Sequence, residues 1–475
     1  MKDFSIALPR ELLDIEDKTR SNIFAWRGQF SPQLIQHLLT AYCPDGTVVL
    51  DPFAGSGTVL HEAALLHFEA HAFEVNPAAW IFSKIYEFAN IRKGDRQRSI
   101  VELRKQLEKY FPIVLFSDKE LSLEDVQVRV IDMGRTLSDQ TKILFNTLVI
   151  LLDLVNSPVT SDFIHGKFAG LARLVDGLPY SDKLIKADLQ DARAIPLGDG
   201  AVGFVITSPP YINVFNYHQN YRRSVEVLGW DLLRVAKSEI GSNRANRGNR
   251  FATVVQYCLD IAAVLQEISR VLHRKGRAVF VVGHESKVLG VPFYNADIIQ
   301  QIATTSGLFE VALRQKRVFT NRFGEAIRED VLNLVKSSDE VTHNSTLHVA
   351  RSVAQSALET GLEIVSANNG RFLSEVLARI HDIHGTPVFN SLSYRDYQTR
   401  DLVMMVKEHR GTATTNTAHR SSPLPVQGVT RCAQHTEDTG CLSLVQREHN
   451  AGASGEAPSF PLRRSRRSFS EVFGE

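Results

Sequence analysis

The chain has 475 residues, long enough for a large core and on length alone for two or three domains. Its 43% hydrophobic and 23% charged content is that of an ordinary soluble globular protein. A formal charge of +1 excludes a global field that would draw it to a polyanion, so any nucleic-acid-binding surface has to be a local patch. Cys43, Cys258, Cys432 and Cys441 are scattered without zinc-site spacing, and no stretch is apolar and long enough to read as a leader or a membrane span. The expectation is a cytoplasmic protein without a structural metal, disulfides or a membrane partner.

In chain order, Leu34, Ile35, Leu38, Leu39 and Tyr42 recur at helical spacing after a Ser-Pro start. The segment TVVLDPFAGSGTVLHEAALLHFEAHAFEVNP then parses as a buried strand (48–50), a Gly-rich turn, a helix (59–67) and a second strand (72–75). That unit opens a doubly wound sheet. Residues 91–180 read as a helical insertion, a candidate target-recognition region, between two halves of one α/β domain at 20–90 and 184–336. In the second half LIKAD and AVGFVI are strands. ATVVQYCLDIAAVLQEISRVLHRKG reads as one long helix with a basic C-terminus closed by Gly276. A strand (GRAVFVVG), a helix near 295–306 and an antiparallel edge pair (FEVALRQKRVF and EDVLNLVK) follow. Residues 345–408 form a helical C-terminal region, and 409–475, polar and ending in LRRSRRSFSEVFGE, reads as a disordered tail. The fold class expected is α/β: a doubly wound, mostly parallel seven-stranded sheet with a helical insertion and a helical C-terminal region.

Two constellations carry chemistry. In VLDPFAGSGTVL the first strand delivers Asp51 to its carboxyl end, where open α/β sheets bind ligands. Gly55 and Gly57 allow a tight turn and close backbone approach. The loop lacks the Lys of a phosphate-cradling loop and the third Gly of the dinucleotide fingerprint, while Glu74 at the end of the second strand can accept hydrogen bonds from ribose hydroxyls. A cofactor with a ribose and no phosphate fits, S-adenosylmethionine being the usual one.

The second constellation is Thr207-Ser208-Pro209-Pro210-Tyr211, directly after a buried strand. Two prolines fix both φ angles and remove two donors, leaving a stiff loop whose carbonyls are free to accept. A Ser hydroxyl and a Pro carbonyl together suit an NH2 group, and the Tyr ring offers a stacking face. Two acceptors holding the hydrogens of an exocyclic amine favour a pyramidal nitrogen whose lone pair faces a methyl donor. Positioning and electrostatics then supply most of the acceleration. A base in a duplex has to flip out to reach such a pocket.

With both motifs placed, the sequence resembles the N4-cytosine/N6-adenine DNA amino-methyltransferases, in the unpermuted motif order. The resemblance implies a catalytic set of Ser208, Pro209, Pro210 and Tyr211. It implies that S-adenosylmethionine is held by Phe30 and Pro32 of FSPQL, by Asp51, Pro52, Phe53, Gly55, Ser56, Gly57 and Thr58, by Glu74 and Asn76 of FEVNP, and by Asp191, matching an acid that contacts the adenine amino group. Asp188 is the other acid nearby. The family has an Asp near position 203, where this chain has Gly203, a departure expected to touch packing more than chemistry. Ser at 208 is associated mainly with cytosine N4; adenine enzymes more often have Asp or Asn there.

For DNA, the segment 231–251 interleaves Arg234, Lys237, Arg244, Arg247 and Arg250 with Asn243, Asn246 and Asn249. Arginine suits phosphates or guanine edges and asparagine suits adenine. Arg244, Arg247, Arg250 and Asn243 are the nucleic-acid-binding candidates, with Phe215, Tyr217, Tyr221 and Trp230 upstream able to stack or pack. His284 and Glu285 follow a strand at the sheet mouth. The leading expectation is a cytosine-N4 DNA methyltransferase, solitary or paired with a restriction nuclease. The alternatives are adenine N6 on DNA, a base amine in RNA, and a non-catalytic nucleic-acid-binding module with the same fold.

Overall fold

The strand β1 (Val48–Asp51) forms at the centre of a seven-stranded sheet because its apolar residues are covered on both faces. The computed structural model describes residues 2–390 except 17, 27, 114–118, 155–158, 213–216, 243, 322–323 and 338–342. The described residues all fall within one compact unit, Met1–Lys407. The tail expected at 409–475 lies outside the described residues, as does Phe215.

The remaining strands are β2 (Glu69–Glu74), β3 (Ile185–Leu189), β4 (Val202–Thr207), β5 (Leu272–Gly283), the hairpin β6 (Glu285–Val288) and β7 (Val291–Tyr294), β8 (Phe309–Thr320) and β9 (Ala326–Lys336). The sheet runs β3-β2-β1-β4-β5-β9-β8, parallel through β5, with β9 antiparallel to both of its neighbours. This is the doubly wound, mostly parallel sheet expected from the sequence. Strand order reverses between β1 and β4, which opens a crevice beyond their carboxyl ends.

The helices are α1 (Arg10–Asp14), α2 (Pro32–Tyr42), α3 (Thr58–Leu65), α4 (Pro77–Lys84), α5 (Lys93–Tyr110), α6 (Leu123–Gly134), α7 (Asp139–Leu151), α8 (Ser161–Asp176), α9 (Arg222–Val227), α10 (Leu232–Val235), α11 (Ala252–Val271), α12 (Asn295–Thr305), α13 (His343–Leu362) and α14 (Ala367–Ala378). Alternation along the strands divides the core in two. Phe204, Ile206, Val279 and Val281 join the cluster built by α2–α4 and the inserted helices. Val205, Ala278, Phe280 and Val282 join that of α11–α14. The insertion is therefore tied into the main core: Leu103, Leu144, Leu148 and Phe168 are buried in the first cluster.

Three local readings change. The long helix stops at Val271, and Leu272 begins β5 opposite Val202. Lys275 is left-handed (φ 64°) and the β4–β5 register shifts there, so the basic HRKG run is an irregular strand start selected by pairing. The hairpin β6–β7 was not expected; Leu289 and Gly290 turn it with φ of 50° and 88°. The segment before residue 20 also belongs to the fold. Leu13 is fully buried, Asn333 Nδ2 donates to the Phe4 carbonyl (3.1 Å), and Val318 N donates to Asp14 Oδ1 (2.7 Å).

Candidate active site at the sheet switch point

Asp51 ends β1 with 1% of its surface exposed. Its Oδ1 accepts from Thr207 Oγ1 (2.7 Å) and Phe53 N (3.1 Å), tying the cofactor loop to the end of β4. Its Oδ2 has no hydrogen-bond partner among the described residues. The turn closes through Gly57 at φ 89°, where a Cβ would come within 2.8 Å of Ser83 Cα. Glu74 reaches back across the turn: Gly55 N donates to its Oε2 (2.9 Å) and Asn76 N to its Oε1 (2.8 Å). Asn76 Oδ1 caps α4 by accepting from Ala78 N (3.0 Å), while its buried Nδ2 is unpartnered among the described residues. Burial pushes both Asp51 and Glu74 up to about 7, against the hydrogen bonds each accepts.

These groups surround a cavity of about 850 Å3, counted to its open mouth. Of the expected cofactor residues, Phe30, Pro52, Phe53, Gly55, Ser56, Thr58, Glu74, Asn76 and Asp191 line it. Pro32 is instead buried in the first turn of α2, and Asp51 and Gly57 shape the turn from beneath. The sequence reading missed Trp26, Gln29 and Glu239, which also line the cavity. Gln29 Nε2 donates to Ser56 Oγ (2.6 Å) and the Phe24 carbonyl (2.7 Å), clamping the Gly-rich turn from above. Trp26 stacks on Tyr217, 6.3 Å between centroids and 11° between planes. Only the proximity of Trp26 to FSPQL could have marked it.

Asp191 is placed differently from its expected use. It lines the cavity, but Oδ1 accepts from Arg193 N and Nε (both 2.9 Å), and Oδ2 from an Arg193 terminal nitrogen (2.7 Å) and Phe389 N (2.8 Å). Four donors fill a carboxylate's capacity, so an adenine amino group would have to displace one. Asp188, the other acid weighed, faces Lys186 at 3.2 Å, half-buried and outside the cavity lining.

The Ser208–Tyr211 tetrapeptide, expected to be catalytic, leaves β4 into the same cavity. Ser208 and Pro210 line it; Pro209 is buried and Tyr211 is not part of the lining. A Cβ on Gly283 would come within 2.7 Å of the Tyr211 ring, and one on Gly241 within 2.2 Å of the Tyr211 carbonyl. The ring thus packs on bare backbone. Burial holds the Tyr211 hydroxyl well above the usual phenol range, opposed by hydrogen bonding to Ser208 and the Gly283 backbone. Asn295, fully buried, accepts from Ile212 N (3.3 Å) and donates to the Gly283 carbonyl (2.9 Å), locking the loop to β5. Gly203 leaves no room for the family's Asp: a Cβ there would lie 1.6 Å from Thr47 Oγ1.

In the basic segment Arg247 is exposed and Arg250 half-buried; Asn243 and the Arg244 side chain lie outside the described residues. Two interleaved asparagines are structural. Asn249 Nδ2 donates to the Phe372 carbonyl (2.6 Å) and Asn246 Nδ2 to Gln256 Oε1 (2.8 Å). His284 Nδ1 pairs with the fully buried Asp330 (2.8 Å), which Arg314 also holds (3.0 Å), a brace between strands rather than a pocket group. No helix among the described residues is long and apolar enough to cross a membrane.

Residues 10–80 match the model of a family of N6 and N4 methyltransferases described as DNA methylase. That segment resembles the DNA methylase family. The match holds α2, the DPFAGSGT turn and Glu74, so the resemblance read from the motifs is borne out on the cofactor side. Type II methyltransferase M.MjaII of Methanocaldococcus jannaschii is 25% identical over 89 residues, 18% of this chain and 17% of that protein. The chain thus matches less than a fifth of that methylase's length. Among solved structures, a SAM-dependent methyltransferase from Methanosarcina mazei aligns over 64% of this chain and 98% of its own, with a TM-score of 0.30 and 10% identity. The rRNA methyltransferase aviRa from Streptomyces viridochromogenes aligns over 74% and 96%, with a TM-score of 0.27 and 13% identity. Likeness this slight decides nothing; the methylase-type fold rests on the strand order itself.

Proposed function

We propose that the protein is an S-adenosylmethionine-dependent methyltransferase acting on the exocyclic amine of a DNA base, cytosine N4. One observation carries this reading: Ser208 and Pro210 line the same cavity as Phe53, Gly55 and Glu74, so a cofactor turn and an amine-binding loop face each other across the sheet switch point. The residues fit the cofactor. Gly55 lets a ligand approach the backbone, Glu74 stands where ribose hydroxyls are bound, and Asp51 Oδ2 and Asn76 Nδ2 are buried and unsatisfied in its absence.

S-adenosylmethionine, when bound, supplies an electrophilic methyl group on a sulfonium. The chain's own residues do the rest. The Ser208 hydroxyl and the Pro209 carbonyl accept the two amine hydrogens and turn the nitrogen lone pair toward the methyl donor. The Asp51–Thr207 bond fixes the distance between the two loops, and after transfer the cationic nitrogen sheds a proton to water. Tyr211, half-buried and packed on Gly283, is a support for Ser208. Arg247 and Arg250 supply phosphate contacts beside the flipped base. A cognate nuclease would share the recognition site.

Incubation of the full chain with duplex DNA and methyl-labelled cofactor, followed by digestion to nucleosides, tests the reading. Label is expected in N4-methylcytosine. Label only in N6-methyladenine would overturn the cytosine assignment, and label only when RNA is supplied would overturn DNA as the substrate.

A further inference from the structure

A buried carboxylate in the cavity has no role in the reading above. Glu239, on the irregular segment after α10, is 6% exposed and lines the cavity beside Ser238 and Ile240. Its Oε2 is held by His218 Nδ1 at 3.0 Å, and His218 is itself 3% exposed. Its Oε1 is buried with no hydrogen-bond partner among the described residues. A buried carboxylate oxygen left unsatisfied costs free energy that a bound donor returns. Fixed at one oxygen, Glu239 keeps the other as a preset acceptor.

The position narrows the donor. Ser238, the preceding residue, gives its carbonyl to Arg193 (3.3 Å), so Glu239 adjoins the network that fills Asp191. On the other side it is near enough to Glu74 for its charge to raise that carboxyl, and Tyr217 feels both acids. Between Asp191 and Glu74 lies the space expected to hold the nucleoside half of the cofactor. With Asp191 saturated, Glu239 is the nearby acid with an oxygen to spare.

We infer that Glu239 is a binding residue for the nucleoside half of the cofactor, its Oε1 accepting a hydrogen bond from the adenine amino group or a ribose hydroxyl. This rests on the S-adenosylmethionine reading and adds a contact on a segment outside the cofactor turn.

Calorimetric titration of the full chain and of Glu239→Ala with S-adenosylmethionine, S-adenosylhomocysteine and 5′-methylthioadenosine tests it. Methylthioadenosine has the nucleoside without the amino acid. All three are expected to weaken by a similar factor, about tenfold to a hundredfold, as for a hydrogen bond to a charged group. If the alanine variant does not fold, the isosteric Glu239→Gln carries the measurement, with an expected loss of about fivefold because its acceptor is neutral. Methylthioinosine then assigns the donor. No loss with it in the variant marks the amino group, and an unchanged loss marks a ribose hydroxyl. Weakened S-adenosylmethionine with methylthioadenosine unaffected would overturn the inference by placing Glu239 at the amino-acid half. Unchanged affinities with reduced turnover would overturn it by placing Glu239 at the target base. Binding of none of these ligands by the native chain would overturn the cofactor reading itself, and the inference with it.

Discussion

Ser208 is the residue at which the proposed methyl transfer can be separated from cofactor binding. It sits after the last paired residue of β4, with Asp51 and Thr207 joined beneath it. Its proposed partner is the target amine, so Ser208→Ala should lower kcat about a hundredfold, as for the loss of one aligned polar group. Cofactor affinity should stay within about twofold of native. Single-turnover rates and calorimetry on the same preparation check both; equal losses would make Ser208 a cofactor residue. Ser208, Pro210 and Glu74 were legible as site residues because their chemistry is local to a strand end. Trp26, Gln29 and Glu239 were not, because nothing in their neighbours along the chain says that they face the cavity.

At the scale of elements, the short segment after α14 matters more than its sequence implies. Arg193, with its side chain 3% exposed, bridges Asp191 and Asp260 (2.7 and 2.8 Å) and donates to the Thr386 and Pro387 carbonyls (2.8 and 3.0 Å). Thr386 N and Oγ1 donate to Asp260 (2.9 and 3.0 Å), so residues 386–389 strap α11 to the loop after β3. Burial raises Asp260 to about 6 despite Arg193 beside it. Arg193→Met would strand two buried carboxylates and is expected to lower unfolding free energy by about 3 kcal/mol, measured by urea denaturation. A loss under about 1 kcal/mol would show that the network is solvated. The sequence hid this strap because its partners are 126 to 198 residues away.

At the scale of the whole molecule, the raised carboxyls set a pH dependence. Asp51 and Glu74 are pushed up to about 7, Asp260 to about 6, and Glu329 upward by burial. Asp51, Glu74 and Asp260 release their protons at higher pH in the folded state than in the unfolded chain, where they titrate near pH 4. Their contribution to stability is therefore full below about pH 4 and lost as pH rises through about 7. Carboxyls shifted the other way, such as Glu102, held low by hydrogen bonds from Thr141 and Ser138, ionise below that window and do not offset it. The unliganded chain should lose thermal stability steadily from pH 5 to 8 at constant ionic strength. Asp51→Asn should flatten part of that slope, and calorimetric scans across the range check both.

The sequence by itself determined the doubly wound sheet and the Gly-rich turn and Ser208–Pro210 loop that meet at its switch point. Each is written in short-range terms: continuous apolar runs for strands buried on both faces, glycines in a tight turn, prolines after a strand. The extent of the fold and the function of its acids were decided only in three dimensions. Residues 2–16 became part of the core by reaching β8 and β9, and the basic run 273–276 was drawn into β5 between the paired Leu272 and Arg277. Asp191 had its capacity filled by Arg193 and Phe389, while Glu239, which lines the cavity, has a buried oxygen with no hydrogen-bond partner among the described residues. A carboxylate's role is set by how many donors reach it, and those donors come from distant parts of the chain.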